Sequence, residues 1–537
     1  MKKQTIKALA VTLAACIAIG SCAVAFGKNI VTKVEKEVSA EEMVTTKTPK
    51  YVFLFIGDGM SYPQIETTNY YLSAVKNGTS MGDKKEGTVL EKESDELSFL
   101  DFPVAGSAQT YDSSSFCPDS ASTATSISTG HKTYSGTINM DEAGKVSYET
   151  ITEKLKDQLG YKVGVISSVN LNHATPAAFY CHQPKRSNYY DIGLEMIDSD
   201  FDYFAGGGLL KPTGANKDQE NLYDLAEKKG YTVVNTQAEA QNVTADTGKT
   251  IIIDEHLADS DAMEYEIDRP EDHWALKDYV AKGIDCLYEG NDKGFFMMVE
   301  GGKIDWACHA NDAASTMSDT KALSDAIDEA VDFYNEHPDE TLILVTGDHE
   351  TGGLTIGYAG TNYDTFLQNL SNQKISFSAF DDNYVSKYKE NNTSFDDVMK
   401  DVTDLFGLVP QSVASQNAET GVTTDSADSH PTGVTSGNLV LTDYELEKLK
   451  DAYDKTMSAN EEEKLSQEEY ILYGSYEPLT VTITHILNNK SGISYSSYSH
   501  TGLPVGVFAL GVGQGEFEGY YDNTEIYNKM ADLLKVE

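Results

Sequence analysis

Basic residues are scarce in this chain. Against 85 Asp and Glu there are 41 Lys and Arg in 537 residues, a formal charge of −44. That deficit excludes a nucleic-acid backbone or an anionic membrane surface as a partner of the bulk chain, because both would be repelled. It also requires a local reversal of the field wherever an anionic substrate is to bind. Cysteine is sparse too, 6 in all. Cys117, Cys181, Cys286 and Cys308 show no spacing of a zinc thiolate cluster, and they permit a disulfide outside the cell without demanding one. Cys308, beside His309, reads as a small buried side chain. No internal repeat is present. Asp425-Ser426-Ala427-Asp428 lacks the glycine and terminal glutamate of a calcium loop and reads as solvated. Gly206-Gly207-Gly208 lacks the surroundings of a phosphate loop and reads as a strand-ending turn.

With 40% hydrophobic residues the chain can bury a substantial core, as one large α/β domain or two to three smaller ones. Its N-terminus reads as an export signal: Met1-Lys2-Lys3 through Lys7 is basic, and Ala8 to Gly27 is almost entirely apolar. Leu13-Ala14-Ala15-Cys16 and Ile19-Gly20-Ser21-Cys22 both resemble lipoprotein boxes, so Cys22 and Cys16 are candidate lipidation sites. Ala23-Val24-Ala25 equally suits ordinary cleavage, and the apolar stretch approaches the ~20 residues of an uncleaved anchor. The expected destinations are extracellular, cell-surface or periplasmic. Residues 28–48, charged and without strong periodicity, read as a tether.

Several apolar runs have the character of buried strands: Tyr51–Ile56, Lys162–Ile166, Phe295–Val299, Thr341–Thr346 and Pro504–Leu510. Helical patterns lie between them, at Tyr148–Leu159 before Gly160, Asn221–Lys229 before Gly230, and Thr316–Tyr334. This alternation predicts a three-layer α/β/α sandwich on a large, mostly parallel sheet. Ligands in such folds gather beyond the carboxyl ends of the strands. Asp58, Thr175, Glu300 and the pair Asp348-His349 all follow a strand at that end. The polar stretch 361–479 breaks the alternation and reads as an inserted, cap-like segment or an oligomer contact. Within it Thr442 and Glu445 form a capping box for a helix from Asp443 to Met457.

These residues suit a multi-metal phosphate site. Asp305 and His309 are four apart and share one helical face. With His500 they would give a zinc three protein ligands and leave a place for water. Asp58, Asp348 and His349 suit a second metal, and the oxygen set Asp58, Thr175 and Glu300 suits magnesium. Ser120 stands among small residues that begin a helix. Its position at the positive end of the helix dipole favours both an alkoxide and a bound phosphate.

Asp119-Ser120-Ala121-Ser122-Thr123-Ala124-Thr125 resembles the nucleophile signature of the alkaline phosphatase family. Gly57-Asp58-Gly59-Met60, His173-Ala174-Thr175-Pro176, Glu300-Gly301-Gly302-Lys303-Ile304-Asp305 and Gly347-Asp348-His349 follow in that family's order. The resemblance runs from about Lys50 to the end, so 49–537 would be one catalytic domain carrying the insertion at about 361–479. It implies two zinc ions, on Asp305, His309 and His500 and on Asp58, Asp348 and His349, and one magnesium on Asp58, Thr175 and Glu300. It further implies Ser120 as nucleophile and Arg186 as a clamp on two phosphoryl oxygens. A phosphate monoester would be hydrolysed at alkaline pH through a phosphoserine, attacked in turn from the side the alcohol left. The pocket would carry a formal charge of about +2, matching a monoester dianion. Homodimers are common in the family.

His173 and Trp306 stand where the family varies, and they read as neighbours of the metal shell rather than ligands. His131, His182, His256, His273, His337, His430 and His485 read as surface or hydrogen-bonded residues. His182 is the exception, because it lies just before Arg186 and is placed to position that loop. A phosphodiesterase on the same fold would replace Arg186, and a sulfatase would need a different nucleophile motif. An exported metal- or phosphate-binding lipoprotein has no reason to keep Ser120 and Arg186.

Overall fold

The computed structural model describes residues 47–77, 97–411, 438–458 and 465–537. The export segment with Cys16 and Cys22, most of the tether, Asp425–Asp428 and His430 lie outside the described residues. Among the described residues no helix is long and apolar enough to cross a membrane.

Ten strands form one sheet. Eight are β1 (Tyr51–Gly57), β2 (Val104–Gln109), β3 (Lys162–Ser167), β4 (Tyr203–Gly206), β5 (Thr232–Val234), β6 (Thr250–Ile253), β7 (Phe295–Gly301) and β8 (Thr341–Gly347). The other two are Val505–Gly511 and Gly519–Asp522. Across the sheet the order is Gly519–Asp522, β2, Val505–Gly511, β8, β1, β7, β3, β4, β6, β5. Val505–Gly511 alone runs against its neighbours β2 and β8; every other pairing in this sheet is parallel.

The five apolar runs are strands because both of their faces are covered. All seven residues of β1, β7 and β8 are buried. Phe53 meets Phe333 of the helix Ala313–Glu336 at 5.6 Å between ring centroids. From β7, Phe296 stacks with Phe179 at 6.3 Å. The helix Ala313–Glu336 starts ahead of its apolar pattern because Asp312 caps it, accepting from the Ser315 amide at 3.1 Å. The pattern after Tyr148 folds as a helix Ile151–Lys154 continued by a wider turn, Leu155–Leu159. Gly160 closes it at φ 71°, a conformation that costs glycine little.

The insertion contributes a second apolar cluster. Leu367, Phe380, Val398, Val402, Phe406 and Leu449 are buried there with Ala313 and Met317, from the start of the helix behind the sheet, and with Leu479 and Ile483. The helix Asp443–Ser458 carries the expected reciprocal cap, with the Thr442 amide donating to Glu445 at 2.9 Å and the Glu445 amide donating to Thr442 at 3.2 Å.

The strand ends approach one another closely. Gly57 is level with Gly301 and with Gly347. A side chain at Gly347 would collide with the Met60 carbonyl oxygen, in the turn that carries Asp58. Gly347→Ala should therefore push the Asp58 and Asp348 turns apart and cost about 1–3 kcal/mol. The expected result is a melting temperature several degrees lower, by calorimetry on the purified chain. An unchanged value would mean that the turn has slack.

Candidate metal centre

Nine strands point the same way, so their carboxyl ends share one edge, and the loops from that edge carry the polar residues picked out above. Asp58 follows β1, Glu300 is the penultimate residue of β7, and Asp348 and His349 follow β8. His500 reaches the same edge by the opposite logic. It precedes the antiparallel strand, whose amino end lies where its neighbours finish.

Ser120 is the first residue of the helix Ser120–Thr129, every residue of which is buried. Small side chains allow that close packing. Asp119 caps the helix through the Ser122 amide at 3.1 Å, and Thr123 donates to Asp348 Oδ2 at 3.0 Å. The helix start is thereby tied to the β8 loop. Ser120 Oγ lies 3.2 Å from His349 Nε2.

Three imidazoles have their protons assigned by their surroundings. His309 Nδ1 faces the Tyr498 carbonyl at 2.6 Å, and His500 Nδ1 faces the Pro118 carbonyl at 2.5 Å. Each therefore donates from Nδ1 and turns an Nε2 lone pair inward. Those two Nε2 atoms are 3.0 Å apart, with Asp305 oxygens at 3.4 and 3.5 Å. His349 Nδ1 meets the Thr351 hydroxyl at 3.2 Å, and that hydroxyl donates to Asp305 at 2.5 Å. The Nε2 atom of His349 then faces Asp58 Oδ1 and Asp348 Oδ2, both at 3.3 Å. Lone pairs and carboxylates crowded this closely repel unless cations lie between them.

A third group contains Asp58, Glu300 and His173. Asp58 Oδ1 and Glu300 Oε1 are buried without a hydrogen-bond partner, which is costly unless a cation is held there. Thr175 donates to Asp58 Oδ2 at 3.2 Å, and Ser167 donates to Glu300. Arg186 Nη2 donates to His173 Nε2 at 2.9 Å. A neutral His173 then carries its proton on Nδ1, which faces Glu300 at 3.9 Å. His173 thus bonds to Arg186 on one side and faces Glu300 on the other, too far for a hydrogen bond. Trp306 meets the His173 ring edge-on at 6.0 Å, with the Lys303 ammonium 4.9 Å from its own ring centre.

The electrostatics follow from this burial. Burial, then repulsion from Asp348, Asp305 and Glu300, raises the Asp58 carboxyl well above its ordinary range. Burial raises Asp348 to about 7. Burial opposes charge on Asp305 as well, but His309 and His500 hold its carboxyl well below the ordinary range. His309 is pushed up to about 9, since its attraction to Asp305 outweighs burial. Burial and the neighbouring His500 keep His349 neutral. Metal ions, which replace protons at such donors, suit every one of these groups. Hard carboxylate oxygens together with imidazole nitrogens fit zinc-like and magnesium-like ions.

Sequence reasoning named the donors but missed their supports. Thr351 bridges Asp305 and His349, Thr123 holds Asp348, and Ser167 holds Glu300. Glu350, fully buried, accepts from Gln64, Thr501 and two amides, joining the turn beside His349 to the strand of His500. Thr351 and Glu350 directly follow Asp348-His349, and that adjacency was their only signal. Cys308 is buried and unbridged, as are Cys181 and Cys286, while Cys117 is exposed and also unbridged. Gly206 ends β4 at φ 115°, a strand-ending turn.

Comparison with known proteins agrees with this geometry. The sequence profile of the alkaline phosphatase family matches residues 49–536. Alkaline phosphatase 4 of Bacillus subtilis is 28% identical over 494 residues, covering 90% of this chain and 88% of its own. Alkaline phosphatase 3 of the same organism is 27% identical, covering 100% and 98%. The crystal structure of a cold-active alkaline phosphatase from Shewanella sp. superposes with a TM-score of 0.68 at 26% identity, covering 90% of this chain and 99% of that one. With a profile match running almost end to end, on a sheet whose polar residues gather at one edge, the chain belongs to the alkaline phosphatase family and is a phosphatase.

Proposed function

We propose that the chain is an exported, zinc- and magnesium-dependent phosphomonoesterase that works through a phosphoserine at Ser120. The observation that carries this reading is the placing of Ser120 Oγ at the head of a buried helix, 3.2 Å from a neutral His349 that faces two carboxylates. One zinc would be held by Asp305, His309 and His500, and the other by Asp58, Asp348 and His349. Asp58, Thr175 and Glu300 would hold magnesium, whose preference for oxygen they meet. When bound, such ions activate a hydroxyl or water and neutralise phosphoryl oxygens.

The chain's own groups account for the rest. Ser120 Oγ forms a bond to phosphorus as the bond to the alcohol oxygen breaks, and the helix dipole favours the added charge. Arg186 is anchored by Asp119 at 2.9 Å and by His173. Its remaining N–H groups can clamp two phosphoryl oxygens, and they would hold a monoester dianion more strongly than a diester, which has the two oxygens but a single charge. Hydrolysis of the phosphoserine then returns Ser120 and inorganic phosphate.

Residues 1–27 serve in this reading as an export signal, 28–48 as a tether, and 49–537 as the catalytic domain with its 361–479 insertion. The basic start and the apolar stretch after it support export. Membrane attachment through the N-terminus and homodimerisation belong to the same reading and rest on the lipoprotein boxes and the family resemblance.

The first test compares p-nitrophenyl phosphate with its bis ester on the metal-loaded chain at mildly alkaline pH. Monoester turnover should dominate, and dominant diester cleavage would sink the reading. Ser120→Ala should lower kcat/KM at least ~10³-fold. Arg186→Ala removes charged hydrogen bonds and should cost roughly 10²-fold. A second test follows from the protonation states. Without metal, His309 and part of Asp348 hold protons at pH 7, and the raised Asp58 adds to them, so zinc loading should release at least about one proton per chain. Calorimetry in two buffers of different ionisation enthalpy measures this, and loading without proton release would contradict the assigned ligands.

A further inference from the structure

Outside the metal cluster, one histidine is charged by its surroundings. His182 lies between two helices, Ile151–Lys154 and Tyr189–Asp198. Its Nε2 faces the Tyr148 carbonyl at 3.0 Å and Glu153 Oε2 at 3.4 Å, and its Nδ1 faces Glu195 Oε2 at 3.6 Å. A carboxylate within ion-pair distance of each nitrogen favours an imidazolium, which can donate from both. The His182 amide also donates to Glu195, at 2.7 Å.

Both carboxylates have structural work of their own. Glu153 closes the capping box of its helix, taking the Thr150 amide at 2.8 Å. Glu195 accepts from the Gln183 side chain, and Gln183 in turn takes Asn188 Nδ2 at 2.9 Å. His182 thus fixes the start of a short segment whose other end is Arg186. Between them, Gln183 pairs with Ile138 through both backbone bonds, and the Arg186 amide donates to Gly136 at 2.8 Å.

We infer that His182 is a positioning residue for Arg186, its imidazolium pinning the 182–188 segment to Glu153 and Glu195 so that the guanidinium stays beside Ser120. The inference rests on the reading of Arg186 as the phosphate clamp. Burial opposes the charge on His182, but the hydrogen bonds and attraction of Glu153 and Glu195 outweigh it and push its pKa up to about 10. Glu153 is correspondingly held below its ordinary range, against burial, chiefly by His182. The neighbouring Cys181 thiol is pushed well above its ordinary value by burial and then by the same two carboxylates. Because the folded pKa is raised, the imidazolium persists through pH 8 and is lost as pH rises through about 10, while its contribution to folding stability is full below pH ~6.5 and declines between the two. Arg186 stays charged throughout, so its alignment is lost before its charge.

The test measures inorganic phosphate binding to the metal-loaded full chain by calorimetry at pH 8 and pH 10.5, with kcat and KM for p-nitrophenyl phosphate. Wild type is compared with His182→Gln, His182→Lys, Arg186→Ala and the double variant His182→Gln/Arg186→Ala. His182→Gln should weaken phosphate binding at pH 8 about tenfold, an effect of misplacement, and raise KM more than it lowers kcat. Wild type should lose more affinity than His182→Gln between the two pH values. His182→Lys, which keeps the charge, should recover most of the affinity at pH 8. In the Arg186→Ala background the His182 change should have no further effect. A full loss in that background, or wild-type affinity in a folded His182→Gln, would overturn the inference. If wild type binds phosphate through Arg186 without turning over monoesters, the proposed function fails while the binding comparison still decides the role of His182. No phosphate binding by wild type would overturn both.

Discussion

Asp58, Glu300, Asp305 and Asp348 are buried in one place, and their mutual repulsion is the constraint around which this edge of the protein is built. Carboxylates removed from water and set beside one another must hold protons or be met by cations. Here the histidines are oriented so that their Nε2 atoms face those carboxylates. Backbone carbonyls and Thr351 fix the Nδ1 protons of His309, His500 and His349, and this leaves Nε2 lone pairs aimed at the same spaces as the carboxylates. Bound divalent ions relieve the whole arrangement at once. The same ions supply the positive field that a chain of charge −44 otherwise denies to a phosphate.

The sheet makes that crowding affordable by being rigid and dry. Its central strands are apolar on both faces, so their carboxyl ends are held in register by packing and not by the polar residues themselves. Glycines at the ends of β1, β7 and β8 let the turns come close enough for their carboxylates to meet. The reversed strand Val505–Gly511 adds the last imidazole from far along the chain. Glu350 fastens the residues His500 and Thr501, just ahead of that late strand, to the β8 turn through the Thr501 hydroxyl, with Gln64 as a further donor.

Arg186 is held differently from the metal donors. It sits at the end of a loop and depends on Asp119, His173 and the segment anchored by His182. On the proposed reading of Arg186 as the phosphate clamp, such a loop suits a group that grips and releases its ligand better than a strand end does. The described parts of the insertion pack instead on the helices beside the sheet, sharing an apolar cluster with them.

Strand runs such as Tyr51–Ile56 and Thr341–Thr346 were legible in the sequence because an unbroken apolar run has few stable fates other than a doubly covered strand. The donors were legible because motifs such as Gly347-Asp348-His349 put chemistry directly after those strands. Helix starts were less so: Asp312, not the apolar pattern, sets the beginning of Ala313–Glu336. Nothing local to His500, Thr351 or Glu350 states which residues they meet, since the partners of His500 lie 191 and 382 residues away. The sequence by itself determined the fold class, the edge where ligands gather and the kinds of donor placed there. Only the tertiary structure decided which lone pairs face one another, which protons are fixed and what holds Arg186. Those depend on distances between segments that a linear pattern does not encode.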